Sequence, residues 1–384
     1  MNRSTLANVS IATADVESFW DVAIESGRIL SFEPSGTLRD GDVRDCDGLT
    51  LYPGFIDIHN HGAVGVDVNE ADVEGLIAVG EFLARQGVTA WLPTLVPDSD
   101  ETYRRVIDAV DRLMEIQGDM PIAQAVGVHY EGVFANEKMC GALRPEFFKK
   151  GGQWPVAGGQ LPRLRKGIHM TTIAPEVEGG VEAIDGMVKE GWIASIGHTR
   201  ADVETLDRAA AAGAKHVTHF FNAMTGIHHR DVGVAGWALT NPEVTFDIIA
   251  DGIHVHPRML EMACREKTPE KTILISDSVA PTGLGDGEFK LWGEKVIVEN
   301  KRTRNERGSI AGSVISMFDA VNGVRSIGFT SADVAEMASA NPATLLGLDA
   351  SRGSIEVGKR ADLVGIDALG AIKFVMIGGA FVDL

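Results

Sequence analysis

Cysteine is scarce: Cys46, Cys140 and Cys264 are three in 384 residues, and none forms a CxxC pair. An odd, scattered count leaves no complete disulfide framework and fits a reducing cytoplasm. Positive charge is in deficit, with 35 Lys and Arg against 54 Asp and Glu, for a net charge of −19. That disfavours nonspecific nucleic-acid and anionic-membrane binding, since both need a basic face. A small anionic substrate stays open, because a few local Arg and His residues can hold one. Long apolar runs are missing too: none approaches the roughly 20 residues that span a bilayer. The stretch MNRSTLANVSIATADVESFW has no charged segment followed by a long apolar one, so no signal peptide is expected. Low-complexity tracts and fixed-period repeats are absent. The expected location is the cytoplasm, with neither nucleic acid nor membrane as partner.

What is present is 45% hydrophobic and 23% charged residues, the make-up of a globular chain with a large core. The length suits one large domain plus a smaller one. Residues 1–50 and 345–384 read as short β segments with turns, for example DVAIESGRILSF and GSIEVGKRADLV, and together predict a small β-sandwich domain. Between them, 51–344 alternates. Strand candidates are 51–57, 88–95, 123–130, 168–174, 192–197, 215–221, 244–250 and 272–276. Helix candidates are 71–86, 100–117, 180–190, 202–212, 257–266 and one near 313–326. Eight strands with intervening helices predict an α/β fold, a (β/α)8 TIM-like barrel, whose site lies at the C-terminal strand ends. A doubly wound open sheet is the alternative, but no Gly-rich phosphate loop stands at a first strand–helix turn. Around 285–310 the alternation breaks into a β-hairpin insertion.

Polar residues collect at the strand ends. FIDIHNHG gives His59 and His61, which as i and i+2 on a strand share a face. GVHYEG gives Glu131, SIGHT gives His198, THFFNAM gives His219, and ISDS gives Asp277. Any one of these histidines alone is an ordinary polar strand end, and Asp277 alone is a plausible helix cap. Together, at one end of several strands, they predict a metal site. Neutral imidazole and carboxylate are the usual ligands of zinc and related divalent ions. Three protein ligands leave a position open, where such an ion acidifies water. A carboxylate outside the main ligand set can then carry the proton, and Asp277 suits that role.

LYPGFIDIHNHG, GVHYEG, SIGHT, THFFNAM, IADGIHVHP, ISDS and SIAGS resemble the N-acetylglucosamine-6-phosphate deacetylases of the amidohydrolase superfamily. The resemblance runs from IESGRI to GSIEVGKRADLV. It implies the amidohydrolase type of barrel and hydrolysis of N-acetylglucosamine 6-phosphate to glucosamine 6-phosphate and acetate. Glu131, His198 and His219 would hold the main metal, and Asp277 would be the general acid/base. His59 and His61 would allow a second ion. The metal implied is zinc, with iron or another divalent ion in its place. Sugar contacts would come from Ala142, Asn222, Ala223, His254 and the Ile310-Ala311-Gly312 backbone. Arg230 would bind phosphate, reaching into a neighbouring subunit's site and so implying a homodimer.

Two departures stand out. The family's EGPF is Glu131-Gly132-Val133-Phe134 here. The family's KGAH loop, whose His helps polarise the substrate carbonyl, is Cys140-Gly141-Ala142-Leu143. Leu143 cannot donate, and Arg144, His256 and Tyr130 are candidates for the missing donor. The change also keeps another N-acyl amino sugar, such as N-acetylgalactosamine 6-phosphate, as an alternative substrate. A catalytically dead binding protein is the third reading, disfavoured by the complete set of Glu131, His198, His219 and Asp277.

Overall fold

The computed structural model describes residues 3–12, 18–38, 41–149 and 161–384; parts of the expected terminal β domain therefore lie outside the described residues. Eight parallel strands form the barrel. In chain order they are Phe55–Asn60, Val88–Leu95, Gly127–Phe134, Ile168–Ile173, Ile193–Ile196, His216–Val217, Thr245–Ile249 and Thr272–Ile275. Every residue of the first three is buried, as expected of strands covered on both faces. The eighth strand returns to the first through a parallel bridge between Asn60 and Ser278. His61 N donates to Ser278 O at 2.8 Å and Asp277 N to His59 O at 3.0 Å. The seam of the barrel thus runs through residues of the expected site.

The candidate run 51–57 is two strands. Leu49–Pro53 pairs with Leu363–Asp367, and Phe55–Asn60 opens the barrel. Gly54 makes the step: a Cβ there would lie 2.3 Å from the Thr89 side chain. The chain ends build one mixed sheet. The strands Arg3–Ile11, Phe19–Glu25, Arg28–Pro34, Asp42–Asp45 and Leu49–Pro53 join Leu363–Asp367, Ile372–Ile377 and Ala380–Phe381. Leu6, Val22, Ile24, Leu51, Leu363 and Phe374 form its separate core. The insertion is a three-stranded meander, Gly287–Leu291, Glu294–Glu299 and Arg302–Asn305.

The barrel helices start where the sequence supplies caps. Asp72 accepts from Gly75 N ahead of Val73–Arg85, and Ser99 from Thr102 N ahead of Asp100–Ile116. Leu76, Val79, Leu83 and Ala84 of the first helix are buried, at the spacing of one helical face. Helix Gly233–Thr240, between the sixth and seventh strands, and the helical run from Ser331 to Leu345 were not among the expected elements. No described helix is long and apolar enough to cross a membrane.

Candidate metal centre

The sixth strand is short because the chain leaves extended geometry at the residues that matter. His198, His219 and Asp277 have φ of 48°, 33° and 50°. Left-handed backbone at a non-glycine residue costs about 1–3 kcal/mol and persists where the surroundings fix it. Here it turns three side chains off their strand ends into the barrel mouth.

Two triads meet there. Glu131, His198 and His219 form one, and His59, His61 and Asp277 the other, all six buried and the ligand atoms within each triad inside 4.8 Å. Glu131 Oε1 lies 3.0 Å from both His198 Nε2 and His219 Nε2, and those two nitrogens are 3.0 Å apart. His59 Nε2 is 3.1 Å from His61 Nε2, and Asp277 Oδ1 is 3.5 and 3.3 Å from them. The triads adjoin, since Glu131 also reaches His59 and His61 at 3.5 and 3.4 Å.

The donor set fits a divalent ion. His61 Nδ1 donates to Thr94 O at 3.2 Å and His198 Nδ1 to Met139 O at 2.7 Å. In the neutral rings this leaves each Nε2 lone pair facing the cluster, the tautomer a metal needs. The spacing suits a shared ion, since ligands about 2.0–2.1 Å from one tetrahedral zinc stand about 3.3 Å apart. Charge gives the same answer. Burial alone would lower the imidazole pKa values, but the neighbouring carboxylates outweigh it. They raise His61 to about 10, through Asp277 and Glu131, and His219 to about 9, mainly through Glu131. Burial raises both carboxylates, yet the histidines win, holding Glu131 well below its usual range and Asp277 below it as well. The cluster demands positive charge, which protons or a metal ion can supply.

Beneath the six lies a polar layer that the sequence reading passed over. Asp57 accepts from Ser276 Oγ at 2.6 Å and Asn60 Nδ2 at 3.1 Å, pinning the first strand to the eighth. Asp247 accepts from the backbone N–H of His219 and lies 2.9 Å from His216 Nε2. His129 bridges Ile58 O and Thr172 Oγ1, and burial, helped by His59, holds it neutral. A lone Asp inside TFDII was the available signal for Asp247, since a charge in an apolar strand needs a partner. Asp247→Ala is expected to weaken metal binding about 10–100-fold, as outer-layer losses do. Competition titration against a chromophoric chelator reads this; unchanged affinity would contradict the support role.

The triads open into a cavity of about 330 Å³. Ala142, Asn222, Ala223, His254, Ile310 and Gly312 line it with His61, Glu131, His198, His219 and Asp277. His254 Nδ1 donates to Asp251 Oδ2 at 2.6 Å, which fixes its ring. Ala311 is not in the lining; it is buried, its N–H donating to Thr303 Oγ1. Leu143, Ser309 and Trp292 are, and the last two went unnoticed in the sequence. No Lys or Arg is among these lining residues. Arg230 lies on an exposed loop beside Asp231 and Val232, lining a different cleft with Lys138 and Arg200. None of the three candidate donors is at hand. Arg144 pairs with Asp98 at 2.5 Å, the Tyr130 hydroxyl donates to Pro162 O, and His256 is an exposed helix cap.

The amidohydrolase family model matches residues 50–382. The chain belongs to the amidohydrolase family. It is 37% identical over 357 residues to the N-acetylglucosamine-6-phosphate deacetylase of Bacillus subtilis strain 168, covering 89% of this chain and 87% of that one. It is 34% identical over 353 residues to the N-acetylgalactosamine-6-phosphate deacetylase of Escherichia coli O157:H7, covering 90% of each. Among solved structures, a mutant of the Mycobacterium smegmatis N-acetyl-D-glucosamine-6-phosphate deacetylase, in complex with N-acetyl-D-glucosamine-6-phosphate, superposes with a TM-score of 0.88. That match has 29% identity and covers 100% of this chain and 99% of that one. Within this amidohydrolase the two buried triads occupy the C-terminal barrel face, where the family's type of barrel carries its chemistry.

Proposed function

We propose that this amidohydrolase removes the acetyl group of a 6-phosphorylated N-acetylhexosamine, with N-acetylglucosamine 6-phosphate as substrate. The observation that carries the reading is Asp277, a buried carboxylate that completes the triad with His59 and His61 and so adjoins the triad of Glu131, His198 and His219. A divalent ion held by Glu131, His198 and His219, most simply zinc, or iron in its place, supplies Lewis acidity and a lowered pKa for water. His59 and His61 offer a place for a second ion. The carboxylate of Asp277 takes the water's proton as the new C–O bond forms. It returns that proton to the leaving nitrogen as the C–N bond breaks, giving acetate and the amine. His254, Asn222 and the backbone at Ala142, Ala223, Ile310 and Gly312 orient the sugar, while Ala311 stays behind the lining.

Among the described residues no lysine or arginine lines the cavity, which supports a phosphate held from outside. Arg230, exposed on its loop, is proposed to reach the site of a second subunit in a homodimer, its planar fork matched to phosphate. N-acetylgalactosamine 6-phosphate is the second reading, favoured by Leu143 and by the 34% identity to the E. coli relative. Acetate release from the two epimers and from unphosphorylated N-acetylglucosamine separates them. The expected result is a clear preference for the phosphorylated gluco sugar, with Arg230→Ala raising its KM at least about tenfold, as loss of a charge-assisted phosphate contact does. Preference for the galacto epimer would replace the substrate, and equal turnover of the unphosphorylated sugar would remove the phosphate role.

A further inference from the structure

The donor expected at position 143 is missing and its three candidate replacements are engaged elsewhere, but Trp292 remains. It stands at the tip between the insertion strands Gly287–Leu291 and Glu294–Glu299, is only 8% exposed, and lines the cavity that holds both triads. Its ring meets His61 edge to face, with centroids 5.4 Å apart. Leu143, Val279, Leu291 and Ala311 belong to the same apolar cluster and pack about the indole. Its backbone φ is 52°, a left-handed conformation uncommon for a bulky residue. Within this apolar surround the buried Nε1–H has no acceptor among the described residues. Indole can only donate, so no proton acceptor or metal ligand is on offer there.

We propose that Trp292 Nε1–H donates a hydrogen bond to the acyl carbonyl oxygen of the substrate, taking the part of the histidine that Leu143 displaces. A fixed donor in a low-dielectric mouth is the arrangement that favours negative charge developing on that oxygen. The inference rests on the acyl-sugar hydrolysis proposed above. It also gives Leu143 a physical place: the isobutyl group packs in the cluster that holds the indole, where a histidine would need a polar partner.

Two measurements test it together. The first compares wild type with Trp292→Phe, which keeps an aromatic ring against His61 and loses the N–H, on whichever N-acetylhexosamine 6-phosphate the wild type hydrolyses. The second follows the indole N–H resonances of 15N-tryptophan-labelled Asp277→Asn protein on adding that sugar, with the Trp292 signal identified by its loss in Trp292→Phe. The expected results are a kcat about a hundredfold lower, the scale of one oxyanion donor, with metal content unchanged, and a downfield shift of the Trp292 resonance. A kcat within about threefold of wild type with an unmoved resonance overturns the assignment, because packing alone would leave both intact. If wild type hydrolyses neither epimer while the resonance still moves with the sugar, the reaction reading fails and the donor stands. If neither turnover nor shift is seen, both fall.

Discussion

Asp277→Asn is expected to lower kcat for acetate release roughly a thousandfold or more while the ion at Glu131, His198 and His219 stays bound. The change keeps the shape of the side chain and removes its charge and basicity, and a positioned acid/base is worth about 10²–10⁴ in rate. His59 and His61 overcome the effect of burial to hold the Asp277 carboxyl ionised, as a base must be. Asparagine can neither take the water's proton nor deliver one to nitrogen. Asp277 belongs to the triad with His59 and His61 and not to the one centred on Glu131, so a protein with one ion per chain should keep it. Steady-state rates beside elemental analysis of the same sample decide the matter. A variant with more than a tenth of the wild-type kcat would remove Asp277 from the proton path.

Glu131→Gln should have the second large effect, through metal binding. Glu131 lies within 3.0–3.5 Å of four histidine Nε2 atoms, between the two triads. Losing its charge leaves Asp277 as the one carboxylate among the six triad residues to offset a divalent ion in a buried site. Outer-layer changes already cost about 10–100-fold in metal affinity, so this ligand should cost at least a hundredfold. The purified variant is expected to hold little metal and release no acetate, with activity returning only in part at high metal concentration. Competition with protons adds a pH signature. His61 and His219, raised to about 10 and 9 without metal, must give up protons to bind an ion, so wild-type metal affinity should rise with pH across the neutral range. Full metal content in Glu131→Gln would contradict the assignment of Glu131 as a ligand.

Much of this architecture can be read in the chain, for physical reasons. Strands such as Val88–Leu95 are mostly apolar and buried throughout because helices cover one face and the barrel interior the other, and the helices that follow Asp72, Ser99 and Asp202 carry their own caps. Helix Gly233–Thr240 gave no such sign: GVAGWALT is apolar on nearly every side, so it has no periodicity to detect. The run from Ser331 to Leu345 is cut by a π turn at Glu336–Ala340 and by Pro342, which breaks its register. The sixth strand was expected to reach 221 but ends at Val217, since His219 takes left-handed backbone. Motif residues at strand ends marked the triads, because a strand's direction fixes which end of the barrel they share. Part of what the layer below and the insertion contribute depends on contacts across more than two hundred positions in sequence. Asp57 meeting Ser276 and Trp292 meeting His61 are two such contacts, and no local pattern announces either.

The most direct test of the central claim is acetate release from N-acetylglucosamine 6-phosphate by one preparation as purified, after exhaustive chelation, and after return of zinc or iron(II). The proposed site predicts turnover that disappears with the metal and returns with it, in proportion to ions bound per chain. Turnover that survives complete removal of metal would contradict the assignment of Glu131, His198 and His219 as the ligands of a catalytic ion.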